Sequence, residues 1–322
     1  MENKLVLIGT GGEKIGFGHI SRLKNLYCFF EKKGFDSHFL VNDDSSIRKI
    51  VKNDKISFFD LNQLNLGDYD LLGNTVIIDS YIIPDFQFEK AFHIRIDDFC
   101  HLPHYSADII INPNFGSEKY SSCYLNKTLK EVKLLLGGEN VILHPDYFSP
   151  GTYIEEGKLA IFLGGYSEGD KHILNLLELC EESELVKKIA LVVTDNYDST
   201  IRNYKGPKTI IYKEMKLLLD VIKDAEWGIS SAGVTKYEFA ALGIPVLMFA
   251  MIEHQIEIGI DFEKRGHGIF GGVLEGMSIR QIKQAVSNLL SMSRKQIKRQ
   301  LHFKGNQNLY DEIVRLQETV TK

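Results

Sequence analysis

The sequence predicts an α/β protein built from two doubly wound halves that face each other across a cleft. Short apolar runs of strand type alternate with helical patterns, which is typical of parallel strands joined by right-handed crossovers. In each half the first strand is followed by a glycine turn, at Gly16-Phe17-Gly18 and at Gly164-Gly165. The 322 residues are enough for two domains, each with its own core.

Each predicted element follows from its own apolar pattern. In the first half we predict a helix that runs from the glycine turn to about residue 33, another at 46–53, and strands at 5–8, 37–41, 56–59, 76–79, 93–98, 108–114 and 133–136. In the second half we predict strands at 159–163, 189–193, 209–212, 227–230 and 245–249, and helices at 171–182, 216–225 and 235–242. We predict that the remainder is helical, at 278–292 and from about 306 to 319.

The strand and helix pattern thins between Tyr147 and Gly157 into a stretch of Ser, Pro, Gly and charged residues. Such a composition is typical of a domain boundary. We therefore predict an N-terminal domain at 1–150 and a C-terminal domain at 151–322, with the last helix a candidate to fold back on the first domain.

Composition narrows the class of protein. A formal net charge of -5 argues against general nucleic-acid binding, and no apolar segment reaches the ~20 residues that cross a bilayer. The four cysteines form no CxxC pair, and Cys100, His101 and His104 have no second ligand pair at zinc spacing. We expect reduced thiols, no metal, no cofactor and a cytoplasmic protein that is a monomer or a weak dimer.

The stretch Ile15–Arg22 contains a candidate catalytic base. It follows a buried strand, and its glycines would let a ligand approach the backbone where a helix begins. His19 falls near that helix N-terminus, whose positive end disfavours imidazolium, so we expect a neutral imidazole that can accept a proton. The alternative is a loop histidine that only caps or packs.

The stretch Ser230–Pro245 is the clearest binding signal in the second half. A strand runs into a small-residue turn that opens a helix, an arrangement that suits a diphosphate, and Ser231 and Thr235 add hydroxyl donors. Glu238 could accept two hydrogen bonds from a ribose. The alternative makes Ser231 an N-cap and Glu238 its capping-box partner.

A series of motifs spans both halves: residues 16–22, residues 96–98 with Pro103-His104 and Ala107-Asp108, Asn112-Pro113-Asn114, Gly164-Gly165, and residues 231–245 with Gln255. In that order these motifs resemble the PseG family. Its members are UDP-2,4-diacetamido-2,4,6-trideoxy-β-L-altropyranose hydrolases of pseudaminic acid biosynthesis, related to SpsG-like spore-coat polysaccharide proteins and to MurG-type glycosyltransferases.

The resemblance implies a GT-B-like fold of two Rossmann-type domains, with UDP in the second and the sugar in the first. By similarity His19 is the base that activates water, with Asp79 and Tyr81 beside the sugar. The family's Asp-His-Tyr is here Asp79-Ser80-Tyr81, and His144 stands where members usually carry arginine. The implied substrate-binding residues are Gly16, Gly18, Arg22, Asp98, Asn114, Gly164, Gly165, Ser231, Gly233, Thr235, Glu238 and Gln255.

Three other functions compete with hydrolysis. A GT-B glycosyltransferase would use the same base and UDP site but pass the sugar to an acceptor hydroxyl. A non-catalytic nucleotide-sugar binder is favoured if His19 lies away from the site. A UDP-sugar 2-epimerase is disfavoured, since the paired carboxylates and histidines of that class are not evident in the sequence.

Overall fold

A computed structural model describes residues 4–12, 15–51, 55–64, 66, 69, 71, 73–88, 90–148, 153–164, 170–213, 217–294 and 303–320. The chain divides into two compact units. The first comprises Met1–Pro145 and Phe303–Lys322, and the second comprises Asp146–His302. Each unit is built on one parallel sheet.

The first unit contains a seven-stranded sheet in the order β3-β2-β1-β4-β5-β6-β7. Its strands are β1 (Lys4–Gly9), β2 (Asp36–Asn42), β3 (Ile56–Phe59), β4 (Thr75–Asp79), β5 (Phe92–Ile96), β6 (Ile109–Asn112) and β7 (Lys133–Leu136). Every residue of β4 and β6 is buried, as expected of central parallel strands that are covered on both faces. The strand order reverses between β1 and β4, which defines the switch point of this sheet.

The second unit contains a six-stranded sheet in the order β10-β9-β8-β11-β12-β13. Its strands are β8 (Lys158–Phe162), β9 (Lys188–Val192), β10 (Thr209–Tyr212), β11 (Trp227–Ser231), β12 (Val246–Ala250) and β13 (Gly268–Val273). Here the order reverses between β8 and β11, and β11 and β12 are buried along their whole length.

Helices accompany both sheets. They are α1 (Gly18–Lys32), α2 (Ser45–Ile50), α3 (Ser121–Lys127), α4 (Asp170–Glu182), α5 (Ser199–Arg202), α6 (Leu219–Ile222), α7 (Thr235–Ala241), α8 (Gln255–Lys264), α9 (Ile279–Leu290) and α10 (Gly305–Val320). In the first unit Leu26 and Phe30 of α1 share a buried cluster with Leu309 and Ile313 of α10. Within the described ranges, no helix is both long and apolar enough to cross a membrane.

The sequence-based prediction of helix for the remainder of the chain is wrong at β13. This strand reads Gly-Ile-Phe-Gly-Gly-Val, and its register against β12 shifts between Met248 and Phe249. Glycine lowers strand propensity and often marks a bulge, so the local pattern concealed an edge strand.

Candidate active site

The switch point of the first sheet brings two polar side chains together. β1 ends at Gly9, which pairs with Asp79 at the end of β4. The chain then enters α1 at Gly18, so His19 lies in the first turn of that helix. Ligands of open α/β sheets bind outside the carboxyl ends of the strands at this point, which makes His19 and Asp79 well placed for chemistry.

The glycine turn before α1 needs glycine at one position and leaves room at the other. Gly16 has a φ of 88°, in the left-handed region that side chains rarely adopt. Apart from its chain neighbours and the backbone of its own helix, a Cβ added at Gly18 would have no heavy atom of the described residues within 4 Å. The described residues therefore leave room beside the backbone at Gly18.

A buried carboxylate holds the His19 imidazole. Nδ1 of His19 lies 2.6 Å from Oδ1 of Asp79, and both side chains are buried. Because a carboxylate only accepts hydrogen bonds, Nδ1 carries the proton in this pair, and Nε2 is the nitrogen with the lone pair.

Arg22 lies between two carboxylates and forms a fork with each. Nε and Nη2 donate to Asp79 at 2.8 and 2.7 Å, and Nη1 and Nη2 donate to Asp98 at 2.8 and 3.0 Å. Both hydrogens of Nη2 are thereby used, so its 3.2 Å approach to Nδ1 of His19 is a contact between two donors. Burial alone would lower the pKa of Arg22, but the charges of the two carboxylates outweigh burial and raise it.

Asp98 accepts hydrogen bonds from three different side chains. Besides the Arg22 fork, Asn114 Nδ2 donates to Oδ1 at 2.7 Å and the Tyr81 hydroxyl donates to Oδ2 at 2.5 Å. Burial alone would raise the pKa of Asp98, but the charge and hydrogen bonds of Arg22 and the hydrogen bond of Tyr81 hold it well below its usual range. Asp98 therefore stays ionised at physiological pH.

Tyr81 packs against the imidazole. The rings of Tyr81 and His19 meet edge to face, with centroids 4.3 Å apart. Burial and the neighbouring Asp98 charge raise the pKa of Tyr81 well above its ordinary value, so the phenol keeps its proton and remains a donor. The structure thus brings together six of the sequence-predicted residues: His19, Arg22, Asp79, Tyr81, Asp98 and Asn114.

The charges of this cluster suit proton transfer to His19. One guanidinium and two carboxylates leave a formal charge of −1 beside the imidazole. A negative charge in this place would stabilise an imidazolium, as the orienting carboxylate does in catalytic triads. The arrangement is one that would suit a fixed, oriented general base.

Two further residues hold the surrounding turns, and one of them, Asn42, was not singled out from the sequence. Asn42 lies at the carboxyl end of β2. Its Oδ1 accepts a hydrogen bond from the Gly11 amide at 2.9 Å, and its Nδ2 donates to the Gly11 carbonyl at 3.0 Å. Ser80 stands where members of the PseG family carry histidine, and its buried Oγ lies 2.7 Å from the Thr10 hydroxyl. A polar residue at the end of a strand was the available signal for both.

The second switch point brings four predicted residues together. Gly164 follows β8 and Ser231 ends β11, and a Cβ on Gly164 would lie 3.4 Å from the Ser231 hydroxyl. A Cβ on Gly233 would lie 3.3 Å from that hydroxyl and 3.6 Å from Nε2 of Gln255. Gly165, also predicted, lies outside the described residues.

A buried ammonium group that the sequence reasoning missed reaches the same turn. Nζ of Lys236, in the first turn of α7, donates to the carbonyls of Ala232 and Gly233 at 3.0 and 2.7 Å. Helical side chains point back towards the N-terminus, so a lysine at this spacing was the signal.

The capping alternative for Ser231 and Glu238 is wrong. The residue before α7 is Val234, and no side chain caps the helix. Burial raises the pKa of Glu238 to about 7, against the opposing effect of the Tyr147 and Thr235 hydroxyls. Glu238 is thus a partly buried carboxyl group that titrates near neutral pH.

The cysteine prediction is wrong for two of the four residues. Cys100 and Cys123 form a disulfide, whereas Cys28 and Cys180 are thiols. The pair forms because the chain after β5 folds onto α3, where Nζ of Lys127 also donates to the Cys100 carbonyl at 2.7 Å. Sequence spacing carries no signal of that contact. The described residues include no group of three or more His, Cys, Asp or Glu side chains that could hold a metal ion.

Comparison with known proteins gives one sequence relative and many structural ones. No protein-family model matches the chain. Uncharacterized protein MJ1062 of Methanocaldococcus jannaschii is 27% identical over 289 residues, which covers 81% of this chain and 58% of that protein. The chain therefore spans little more than half the length of this relative.

The structural relatives share the fold over nearly the whole chain. The UDP-GlcNAc 2-epimerase of Methanocaldococcus jannaschii, solved with UDP-GlcNAc and UDP, has a TM-score of 0.57 at 14% identity and covers 97% of this chain and 99% of its own. MurG of Acinetobacter baumannii has a TM-score of 0.58 at 11% identity, with 97% and 99% covered. The spinosyn rhamnosyltransferase SpnG, solved with thymidine diphosphate, has a TM-score of 0.61 at 13% identity, with 100% of both chains covered.

At such low identity these likenesses establish the fold and not the reaction. Two parallel-sheet α/β units together with these neighbours identify the GT-B-like, Rossmann-type architecture that the sequence predicts.

Proposed function

We propose that this chain is a nucleotide-sugar hydrolase that releases UDP and a free sugar by base-assisted attack of water on the anomeric carbon. The observation that carries the proposal is the buried bond between Nδ1 of His19 and Asp79 at the switch point of the first sheet. Structures of this fold solved with UDP or thymidine diphosphate support a nucleotide-linked substrate.

In the proposed step Nε2 of His19 takes a proton from water while the water oxygen bonds to the anomeric carbon. The bond between that carbon and the UDP oxygen breaks, and its electron pair stays with the diphosphate. Asp79 stabilises the imidazolium, which then returns its proton to solvent. General-base assistance of this kind is worth roughly 10²–10⁴-fold in rate.

Arg22 and Asp98 orient the base. Arg22 uses its donors on Asp79 and Asp98, and Asp98 accepts from Arg22 with both oxygens, so we assign the two residues to positioning rather than to direct substrate contact. We assign Tyr81 and Asn114 to the sugar side, with Gly16 and Gly18 leaving the backbone open.

We assign UDP to the second unit. Gly164, Ser231 and Gly233 supply backbone and hydroxyl donors for the diphosphate, and the buried ammonium of Lys236 adds positive charge at the same turn. Thr235 lies at the start of α7, where we assign its hydroxyl and backbone amide to the diphosphate as well. Glu238 accepts from the ribose hydroxyls, and Gln255 lies beside Gly233.

We further propose a diacetamido-trideoxy sugar as the released product, in nonulosonic acid biosynthesis of the pseudaminic type. This finer assignment rests on the resemblance to the PseG family alone. Ser80, which holds the turn after β4 in place of the family's histidine, is where the sugar preference would differ.

The test is UDP release from a panel of UDP-linked acetamido sugars, without any acceptor. We expect His19→Ala to lower kcat by roughly 10²–10⁴-fold and to leave UDP affinity unchanged. His38→Ala is a matched control, because that histidine lies on β2 of the same unit and bonds to Ser57. Wild-type turnover by His19→Ala would show that the base is wrongly assigned.

A glycosyltransferase is the second candidate, favoured by the fold shared with MurG and the rhamnosyltransferase. It would use the same base to deprotonate an acceptor hydroxyl. UDP release that depends strictly on an added acceptor would establish this function and reject the hydrolase.

A further inference from the structure

Arg95 is a buried guanidinium that the proposed mechanism does not use. It lies on β5, in the interior of the first unit, with none of its surface exposed. A buried charge is costly unless it is well hydrogen-bonded, so its contacts indicate what it stabilises. Burial lowers the pKa of Arg95, while the charges of Asp97, Asp85 and Asp79 oppose that effect.

The contacts of Arg95 converge on one short turn. Nη2 donates to the carbonyls of Ser80 and Ile83 at 2.6 and 2.7 Å, and Nη1 donates to the Pro84 carbonyl at 3.4 Å. We name the segment from Ser80 to Pro84 the β4 turn, because it directly follows Asp79. Three carbonyl oxygens of this turn thus point at one guanidinium.

The β4 turn is also stabilised by hydrogen bonds within itself. The Ser80 hydroxyl oxygen accepts hydrogen bonds from the backbone amides of Ile82 and Ile83, both at 3.1 Å. Ser80 therefore binds amides of this turn, and Arg95 binds its carbonyls. Because both kinds of backbone group are hydrogen-bonded, few other conformations are open to the turn.

Tyr81 is the residue that the β4 turn presents to the active site. Its ring lies edge to face against His19, and its hydroxyl donates to Asp98. A rotation of the turn would move the phenol away from both. We propose that Arg95 is a positioning residue that sets the place of Tyr81, and through it the orientation of the His19 ring; this inference rests on the proposed function.

Arg294 provides a matched control in the second unit. Its Nη1 donates to the carbonyls of Lys223 and Ala225 at 3.0 and 2.7 Å, and its Nη2 donates to that of Leu242 at 2.8 Å. It therefore makes the same kind and number of contacts as Arg95. A change to methionine at either position removes three carbonyl contacts.

The experiment compares Arg95→Met, Arg95→Lys and Arg294→Met, each with and without Tyr81→Ala, which removes the ring that lies against His19. We expect Arg95→Met to lower kcat by about 10²-fold, the effect of a misplaced catalytic group, with UDP affinity unchanged. In the Tyr81→Ala background the same change should cost less than about threefold, because Arg95 acts on His19 through the Tyr81 ring. Arg95→Lys should recover part of the rate, and Arg294→Met should keep the wild-type kcat.

Amide hydrogen exchange of Ile82 and Ile83 gives a readout that does not depend on turnover. We expect faster exchange in Arg95→Met, an intermediate rate in Arg95→Lys, and the wild-type rate in Arg294→Met. Wild-type exchange and kcat in Arg95→Met, or an undiminished loss of kcat in the Tyr81→Ala background, would overturn the inference. If the wild type releases UDP from no UDP-sugar, the proposed function fails, and the exchange rates still decide whether Arg95 holds the turn.

Discussion

The two switch points of this protein occupy equivalent places in their sheets, but the side chains that lie there differ in kind. In the first unit, charged side chains fill the site and bind one another, with Arg22 forked between Asp79 and Asp98. In the second, small residues lie together at Gly164, Ser231 and Gly233, and the one buried cation described there, Lys236, is bonded to backbone carbonyls and not to carboxylates. The difference teaches that one topology can hold two kinds of arrangement. Under the proposed function, the locked charged groups would keep the geometry of a proton transfer, and the small residues would accept a diphosphate.

Neutralising Asp79 should break the first site with the largest effect. Asp79→Asn keeps the size of the side chain but removes the charge that fixes the His19 tautomer, and the loss of an orienting carboxylate costs about 10⁴-fold in kcat in catalytic triads. We expect a loss of about 10³–10⁴-fold here, with UDP affinity unchanged within about twofold.

Steady-state kinetics and calorimetric titration with UDP measure these two quantities. Asp43→Asn is the control, because that exposed carboxylate pairs with Arg48 on the surface of the same unit. A parallel loss of rate and UDP affinity in Asp79→Asn would contradict the division of labour between the units.

A larger side chain in the second site should have a smaller effect, and the effect should be on UDP affinity and not on kcat. A methyl group on Gly233 would lie against the Ser231 hydroxyl and Gln255. We expect Gly233→Ala to weaken UDP binding by about tenfold, which corresponds to about 1.4 kcal/mol, while kcat at saturating substrate stays within about twofold. Gly276→Ala is the control, because that exposed glycine has open space beside it. An unchanged UDP affinity in Gly233→Ala would contradict the assignment of the diphosphate to this turn.

The smallest expected effect is a pH dependence of nucleotide-sugar binding, which should be a property of the second site through Glu238. Burial raises the pKa of Glu238 to about 7, so the carboxylate that can accept from a ribose becomes abundant only above that pH. We expect affinity for UDP-GlcNAc, whose diphosphate does not titrate in this range, to rise by up to about tenfold from pH 6 to pH 8. Glu238→Gln should abolish the slope.

Stability should respond to Glu238 in the opposite direction. Because its pKa is higher in the folded chain than the ordinary 4.5, the folded state binds the proton more tightly than the unfolded state does. The free energy of unfolding should therefore fall as pH rises from 4.5 to 7 and level off above 7. Denaturant titrations of wild type and Glu238→Gln measure this difference, and identical pH profiles would contradict the raised pKa.

Much of the fold could be predicted because parallel strands bury both faces and leave a strong local signal. The runs that became β1, β4 and β12 each contain at least three consecutive apolar residues, and each ends in a turn or a polar residue. β13 could not be predicted, since three of its six residues are glycine and only pairing with β12 makes it a strand.

Site residues were predictable one at a time but not as a network. His19 and Asp79 stand at the ends of recognisable elements, so their positions follow from the pattern. The fork of Arg22 on Asp98 depends on the register of three neighbouring strands, which no local pattern contains. The same holds for Arg95, whose partners are backbone carbonyls, and for the disulfide between Cys100 and Cys123.

The central proposal is attack of water on the anomeric carbon, and the fate of the water oxygen tests it most directly. The UDP-sugar that the wild type cleaves fastest is turned over in ¹⁸O-labelled water, and both products are analysed by mass spectrometry. We expect the label in the anomeric hydroxyl of the free sugar and unlabelled UDP, with label incorporation at the rate of UDP release. Label in the phosphate of UDP, or release of UDP without a labelled sugar, would contradict attack at the anomeric carbon.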